Sequence, residues 1–201
     1  MDPKKRTVGA AERDEVRRTR WHRLARKVDA ARFVFVDESG ANITLAPRYG
    51  RAPKGHRCPG VVPRNYGENL TLCAALTLDG LTAAMVLDGG TDRLAFELYV
   101  EHFLVPTLRP RQIVIMDNLS VHKQPTIRRL IQAAHCAVIF LPSYSPDFNP
   151  IELAFAKIKA SLRRTEARTR EALETAMGQA IDHVTAADAA GFFRHCGYSA
   201  R

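Results

Sequence analysis

Two short apolar runs that each end in an aspartate constrain the fold of this chain most strongly. They are Phe33-Val-Phe-Val-Asp37 and Ile113-Val-Ile-Met-Asp117. Each run is apolar at successive positions, which is typical of a strand that is buried on both faces of a sheet. If these strands are neighbours, both carboxylates can project from the same edge of the sheet. The alternative is that each aspartate only ends its strand, because aspartate favours turns.

A third carboxylate, Glu152, closes the run Tyr144-Ser-Pro-Asp-Phe-Asn-Pro-Ile-Glu. Asp37 and Asp117 are separated by 79 residues, and Asp117 and Glu152 by 34 residues. Asn149 is a good helix cap and Pro150 suits the first helical position, so Glu152 falls where a capping box has its acidic residue. Glu152 therefore has two interpretations, a helix cap and a metal ligand, and both roles can coexist.

The remaining periodicity predicts a mixed sheet with helices on its faces. Asp79-Gly80 indicates a hairpin, and Thr91 is the expected cap of the helix that follows. Further strands are predicted at 42–45, 70–78, 81–87 and 136–141, and helices at 10–29, 91–108, 123–134, 150–164, 170–184 and 186–195.

Four ordered motifs carry a resemblance to a known family. They are Val36-Asp-Glu-Ser-Gly40, Tyr49-Gly-Arg-Ala-Pro53, Met116-Asp-Asn118 with His122-Lys123, and the run from Tyr144 to Glu152. At these positions the chain resembles the catalytic domain of a bacterial insertion-sequence transposase of the mariner superfamily, the Asp-Asp-Glu type. The resemblance covers residues 30 to 198, which is nearly the whole chain.

The resemblance implies a fold and an activity. The expected fold is α/β and ribonuclease-H-like, a mixed five-stranded sheet with helices on both faces, formed by residues 31–201. The expected activity is metal-dependent DNA cleavage and strand transfer in transposition. Asp37, Asp117 and Glu152 are the implied catalytic residues and the ligands of two Mg²⁺ or Mn²⁺ ions, which need hard oxygen ligands.

Several neighbours of these carboxylates are expected to contact DNA or to hold the metal ligands in place. The resemblance places Asn118 and His122 beside the site, although His122 is equally well explained as a surface or capping histidine. Solvated surface charge is the alternative for any single lysine. Glu38 follows Asp37 on a strand, so it should point to the opposite face, and we do not count it as a ligand. The full set of expected neighbours is Asn118, His122, Lys123, Asn149 and Lys157.

The positive charge is concentrated at the beginning of the chain. The net charge is +9, and residues 1–32 carry 11 Lys/Arg against 5 Asp/Glu. We therefore expect residues 1–30 to form a basic helical N-terminal arm with a polyanionic partner, namely the double-stranded DNA of transposon ends and target. About 30 residues are too few for the helix-turn-helix domains of the resembled family. The chain therefore looks like the catalytic half alone, either the second frame of a two-frame element, a truncated copy or a trimmed version. Self-association and a separately encoded helix-turn-helix half are the further expected partners.

Other features exclude several classes of protein. No apolar run reaches the roughly 18 residues of a membrane helix, and no signal sequence is evident, so a cytoplasmic, nucleoid-associated bacterial protein without a membrane partner is expected. The four cysteines form no Cys-x-x-Cys pair, which argues against a zinc site. Two alternatives to a transposase stay open, a catalytically inactive nucleic-acid-binding remnant and a nuclease on the same fold.

Overall fold

A five-stranded sheet forms the centre of the computed structural model, which describes residues 10–65, 67 and 69–200. The order of the strands across the sheet is β3-β2-β1-β4-β5. β1 pairs antiparallel with β2 and parallel with β4, so the mixed five-stranded sheet expected from the sequence is confirmed. The strands are β1 (Phe33–Ala41), β2 (Leu70–Thr77), β3 (Gly80–Asp88), β4 (Ile113–Met116) and β5 (Ala137–Phe140).

The parallel pairing of β1 with β4 sets the position of two carboxylates. Phe35 is in register with Ile115, and β4 ends one residue before Asp117. Asp37 lies two residues past Phe35, so both aspartates stand at the same edge of the sheet. β1 and β4 are neighbours, as the expectation of a common edge requires.

The hairpin predicted at Asp79-Gly80 joins β2 to β3. Gly80 has a φ of 118°, and a Cβ on it would approach the carbonyl oxygen of Val184 at 3.3 Å, so glycine suits this turn. The prediction of a strand at 42–45 is wrong. The side chain of Asn42 accepts hydrogen bonds from the backbone and hydroxyl of Thr44, at 3.1 and 2.6 Å, and this local turn replaces sheet pairing.

Helices cover both faces of the sheet, and each face has its own hydrophobic core. Alternate side chains of β1 divide between the cores: Phe33 and Phe35 join one, while Val34 and Val36 join the other. The first core includes residues of α4, α5 and α6, and the second includes residues of α2 and α3. These helices are α2 (Arg93–Tyr99), α3 (Pro125–Ala133), α4 (Ile151–Thr165), α5 (Arg170–Asp182) and α6 (Ala186–His195).

The single helix predicted over 91–108 is shorter and differently capped. Asp92, and not Thr91, caps α2, because its carboxylate accepts from the backbone N–H of Ala95 at 2.8 Å. After Tyr99 the backbone widens into a π turn and then tightens into a 3₁₀ turn over Val105–Thr107. Proline at position 106 lacks the N–H of a regular helix and lies in this last 3₁₀ turn, where the helical segment ends.

The N-terminal helix docks on the rest of the protein through a buried hydrogen-bond chain. This helix, α1 (Glu15–Ala25), is shorter than the predicted 10–29, and residues 1–9 of the expected arm lie outside the described residues. The indole N–H of Trp21 donates to the Tyr198 hydroxyl at 3.0 Å, and that hydroxyl donates to the carbonyl oxygen of Phe148 at 2.6 Å. No helix among the described residues has the length and apolar character of a membrane span.

This hydrogen-bond chain predicts the effect of Tyr198→Phe. The change removes both bonds and leaves two buried polar groups without a partner, which should lower the free energy of unfolding by about 1–3 kcal/mol. Tyr49→Phe, at a side chain that is 92% exposed, is the matched control and should have no measurable effect. Urea denaturation of both variants measures the difference, and equal stabilities would show that the chain does not hold α1 in place.

Candidate active site

A cavity of about 400 Å³ opens at the sheet edge where β1 and β4 end. Asp37, Asp117 and Glu152 all line it. Asp37 comes from β1, Asp117 from the end of β4, and Glu152 from the first turn of α4. Among the described residues, no lysine or arginine lines this cavity. The structure therefore brings the three predicted carboxylates to one strongly acidic site.

Asp37 is the most perturbed carboxylate of the three. Burial raises the pKa of Asp37 from 3.8 to about 7, and the negative charges of Glu152, Glu38 and Asp117 add to the increase. The backbone N–H of Glu38 donates to its Oδ1 at 2.8 Å and opposes this rise in the pKa. The side-chain amide of Asn149 donates to its Oδ2, also at 2.8 Å. Asp37 is thus held in place but destabilised as an anion.

Asp117 lies in a more favourable environment. Burial raises its pKa, but hydrogen bonds from His122 and from the backbone of Leu119 outweigh burial, and the pKa falls below its ordinary value. His122 Nδ1 lies 2.6 Å from Asp117 Oδ1, and the backbone N–H of Leu119 lies 2.9 Å from the same oxygen. Asp117 is therefore an anion whose orientation is fixed by two donors.

His122 bridges Asp117 to a fourth carboxylate, Glu38. Its Nε2 lies 3.2 Å from Glu38 Oε1, and its ring packs 4.4 Å from the ring of Phe96. Burial lowers the pKa of His122, but the two carboxylates outweigh burial and raise the pKa to about 9. His122 is therefore a buried cation at neutral pH, and its description as a surface histidine is wrong.

Glu38 is the residue that sequence reasoning missed. It does not line the cavity, in agreement with its expected opposite orientation to Asp37. It nevertheless reaches the site through His122, which lies 84 residues later in the chain. A buried imidazolium needs an acceptor for each ring nitrogen, but the sequence does not show that His122 is buried, so no sequence signal pointed to Glu38.

Asn149 has a different role from the helix cap expected for it. The position before α4 is occupied by Pro150, and no side chain caps the helix, so the capping box with Glu152 is not formed. The Asn149 carbonyl oxygen accepts the backbone N–H of Glu152 at 3.2 Å, while its side-chain amide is used by Asp37. The atom that a cap would use, the side-chain oxygen Oδ1 of Asn149, has no hydrogen-bond partner among the described residues, so the expected cap is not formed.

The other predicted neighbours divide into those near the cavity and those away from it. Asn118 lines the cavity and donates to the Ser143 hydroxyl at 2.8 Å. Lys123 is exposed, and its charge helps to lower the pKa of Asp117. Lys157 does not line the cavity, because its ammonium pairs with Asp188 at the start of α6, at 2.5 Å.

The oxygen atoms that could bind a metal at this site suit a hard divalent cation. Carboxylates supply most of them, and the Oδ1 of Asn149 is a buried oxygen without a hydrogen-bond partner. Such oxygen ligands are those preferred by Mg²⁺. In the described part of the chain, no three His, Cys, Asp or Glu side chains already stand close enough to hold an ion. Burial is the main cause of the raised pKa of Asp37 and the nearby carboxylates add to it, so a cation would offset the cost of ionising Asp37.

The family of the chain follows from its similarity to a known domain. Residues 32–174, which include all three carboxylates, match the family described as DDE superfamily endonuclease. The chain belongs to the DDE superfamily endonucleases. No curated protein matches it in sequence. The family assignment agrees with the resemblance noted in the motifs around Asp37, Asp117 and Glu152.

Solved structures of Mos1 transposase have the same fold as this DDE endonuclease. The paired-end complex with left transposon end has a TM-score of 0.71 at 17% identity, covering 98% of this chain and 62% of that chain. The paired-end complex with Mg has a TM-score of 0.71 at 16% identity, covering 98% and 64%. The isolated catalytic domain has a TM-score of 0.61 at 17% identity, covering 90% and 82%.

The likeness to Mos1 confirms the expected fold. At these identities it shows the ribonuclease-H-like arrangement of the DDE catalytic domain, with a mixed sheet between two helical layers. The chain spans less than two thirds of the length of the Mos1 complexes with transposon ends, 62% in one of them.

The raised pKa of Asp37 predicts how stability depends on pH. A carboxylate with a folded-state pKa of about 7 stabilises the fold below its unfolded value of 3.8, and this contribution is lost as the pH rises through 7. The loss is on the order of 4 kcal/mol. In metal-free protein, Asp37→Asn should therefore be more stable than wild type at pH 8, and the advantage should shrink towards pH 4.

Thermal unfolding at several pH values measures this difference. Asp79→Asn, at the exposed hairpin turn, is the control, and its effect on stability should be the same at pH 5 and pH 8. An Asp37→Asn variant that is less stable than wild type at pH 8 would contradict a destabilised Asp37 anion.

The bridge from His122 to Glu38 predicts a second effect of pH. Glu38→Gln preserves the shape of the acceptor but removes its charge, so the pKa of His122 should fall below the value of about 9. A raised histidine pKa stabilises the fold below pH 6.5, and this stability is lost as the pH rises towards 9. The variant should therefore lose stability mainly at neutral and lower pH.

NMR titration of the His122 ring measures the pKa directly. Glu174→Gln removes an equivalent exposed charge from α5 and is the matched control, which should leave the titration of His122 unchanged. An unchanged His122 pKa in Glu38→Gln would show that Glu38 does not stabilise the imidazolium.

Proposed function

We propose that this chain is the catalytic domain of a transposase, which cleaves DNA at transposon ends and joins the released strands to a target. One observation carries the proposal: Asp37, Asp117 and Glu152 line one cavity in a chain of the DDE endonuclease family. The Mos1 structures of similar fold are described as paired-end and strand transfer complexes, which supports the same type of reaction here.

We further propose that Asp37, Asp117 and Glu152 are the ligands of two Mg²⁺ or Mn²⁺ ions. Mos1 structures with Mg and with Mn support this choice of metal. Such ions, when bound, activate an attacking oxygen and stabilise a leaving oxygen in an in-line displacement at phosphorus. Burial and, to a smaller extent, the neighbouring carboxylates raise the pKa of Asp37, and a bound cation would offset the cost of ionising it.

The residues of the chain itself orient this site. Asn149 holds one oxygen of Asp37, and His122 together with the backbone of Leu119 holds one oxygen of Asp117. Each aspartate thus has a fixed carboxylate plane before any metal or DNA arrives. Asn118 lines the same cavity and is positioned to donate to a phosphate oxygen or to orient water. Preorganised groups of this kind reduce the reorganisation needed in the transition state.

The biological context of the proposal follows the sequence resemblance. We propose a bacterial insertion-sequence origin, residues 1–30 as a basic arm and residues 31–201 as the catalytic domain. The proposed partners are double-stranded DNA of the transposon ends and target, a second copy of the chain, and a separately encoded helix-turn-helix half. The proposed location is the cytoplasm, at the nucleoid. The Mos1 complexes are longer than this chain, which is consistent with a role for additional domains.

The proposal predicts metal-dependent chemistry that each of three conservative changes abolishes. Asp37→Asn, Asp117→Asn and Glu152→Gln should each reduce cleavage in Mg²⁺ or Mn²⁺ by roughly 10²–10³-fold or more, because each removes charge next to the developing oxyanion. The assay follows nicking of duplex DNA that carries the transposon's own ends, and strand transfer of ends that are already cleaved.

Glu174→Gln is the control for this assay and should cleave at the wild-type rate. Three other outcomes would separate the alternatives. A wild-type protein that binds DNA but never cleaves it would instead indicate a catalytically inactive remnant. Cleavage without strand transfer would indicate a nuclease. If folded Glu152→Gln cleaves like wild type, Glu152 is not a metal ligand.

A further inference from the structure

A second cavity, of about 310 Å³, lies between α1 and the end of β5. It shares three wall residues with the catalytic cavity, so the two are neighbours on the surface. We call this second cavity the α1 groove, defined by Arg17, Arg20, Trp21 and Leu24 on one side and by the shared residues Asn118, Leu141 and Pro142 on the other.

Helix α1 is held rigidly where it forms this groove. The buried guanidinium of Arg18 donates to both oxygens of Asp147, at 3.0 and 2.6 Å, and lies 4.2 Å from the centre of the Phe148 ring. Trp21 adds its hydrogen bond to Tyr198 one turn later. Two directional contacts on one helical face fix the rotation of the helix. The side chains of Arg17 and Arg20 are therefore presented to the groove by buried contacts on the same helix.

The charges of the two cavities are complementary in sign. The catalytic cavity has three carboxylates and, in the part of the chain that the structure describes, no lysine or arginine in its wall. The α1 groove has two exposed arginines instead. The guanidinium of Arg17 forms an exposed ion pair with Asp14 at 3.3 Å, a type of contact worth little, so its charge remains available to a ligand. A polyanion that enters the acidic cavity finds a cationic wall in the neighbouring groove.

Apolar side chains also line the groove. Leu24 is 55% exposed at its rim, and Trp21 and Pro142 form part of its wall. Arginine forks bind phosphate with directed hydrogen bonds, and apolar or aromatic walls accept sugars and unstacked bases. The groove therefore offers arginines for phosphates and apolar side chains for sugars and bases. This combination matches a single nucleic-acid strand better than it matches a duplex or a small anion.

We propose that the α1 groove binds the DNA strand that continues beyond the scissile phosphate, with Arg17 and Arg20 on its phosphates. The proposal rests on the proposed function, because it takes the catalytic cavity as the place where the strand is cut. It assigns to the N-terminal arm a defined contact next to the chemistry. If the arm contributed only its overall charge, DNA binding would not depend on this groove.

The test compares two variants that lose the same charge. Arg17→Gln with Arg20→Gln removes the groove arginines. Arg23→Gln with Arg128→Gln removes two exposed arginines outside it, one on α1 and one on α3. Binding is measured in EDTA by fluorescence anisotropy, with a duplex that either stops at the cleavage position or continues as a short single-stranded flank on one strand or the other.

The groove variant should lose affinity only for one of the flanked substrates. Its plot of log affinity against log salt should become shallower by about 1.4 to 1.8, the change for two phosphate contacts on single or double strands. The control variant should keep the wild-type slope on every substrate. Both variants should unfold at the wild-type temperature, because all four side chains are exposed.

Three results would overturn the proposal. They are equal losses in both variants, a loss in the groove variant that does not depend on the flank, and wild-type protein that binds no DNA. The binding comparison needs no cleavage, so failure of the proposed function gives a different pattern. In that case the flank-dependent loss persists in EDTA, while wild-type protein with Mg²⁺ or Mn²⁺ leaves the DNA uncut.

Discussion

The burial of neighbouring carboxylates at one sheet edge is the constraint on which the site depends. Parallel pairing of β1 with β4 forces Asp37 and Asp117 to the same edge, and α4 adds Glu152. Burial and like charges raise the pKa of Asp37 to about 7, so the fold pays a cost in stability for this arrangement. The cost is tolerable because donors from distant segments, Asn149 and His122, hold the carboxylates.

The strand-end aspartates were predictable because they depend on local patterns. An apolar run followed by an aspartate indicates both a buried strand and the place where it ends, and the order of strands and helices limited the topology. Glu152 was predictable as a helix-start residue, but the choice between cap and ligand needed the family resemblance. The capping box is absent, since the Asn149 side chain donates to Asp37 and caps no helix N–H group. The role of Glu152 as a ligand stays a prediction.

The failures of sequence reasoning have two physical origins. The strand at 42–45 was wrong because the Asn42 side chain accepts from the backbone N–H of Thr44, and the cap of α2 was misplaced by one residue because the Asp92 carboxylate accepts from the backbone N–H of Ala95. The role of Glu38 was missed for a different reason, namely a contact between distant parts of the chain. Its role depends on His122, 84 residues away, and no local pattern reports a partner that only folding brings close.

The docking of α1 links the stability of the fold to the geometry of the site. Asp147 and Phe148, which receive Arg18, immediately precede Asn149, which holds Asp37. Arg18 therefore anchors the segment that positions a carboxylate ligand, although its own side chain does not line the cavity. An ion pair that is half buried contributes modestly to stability, but it restricts a turn whose displacement would move the Asn149 amide. Helix α1 and the catalytic edge are thus linked through one turn, and the charges of Arg17 and Arg20 lie beside the site because the same helix supports that turn.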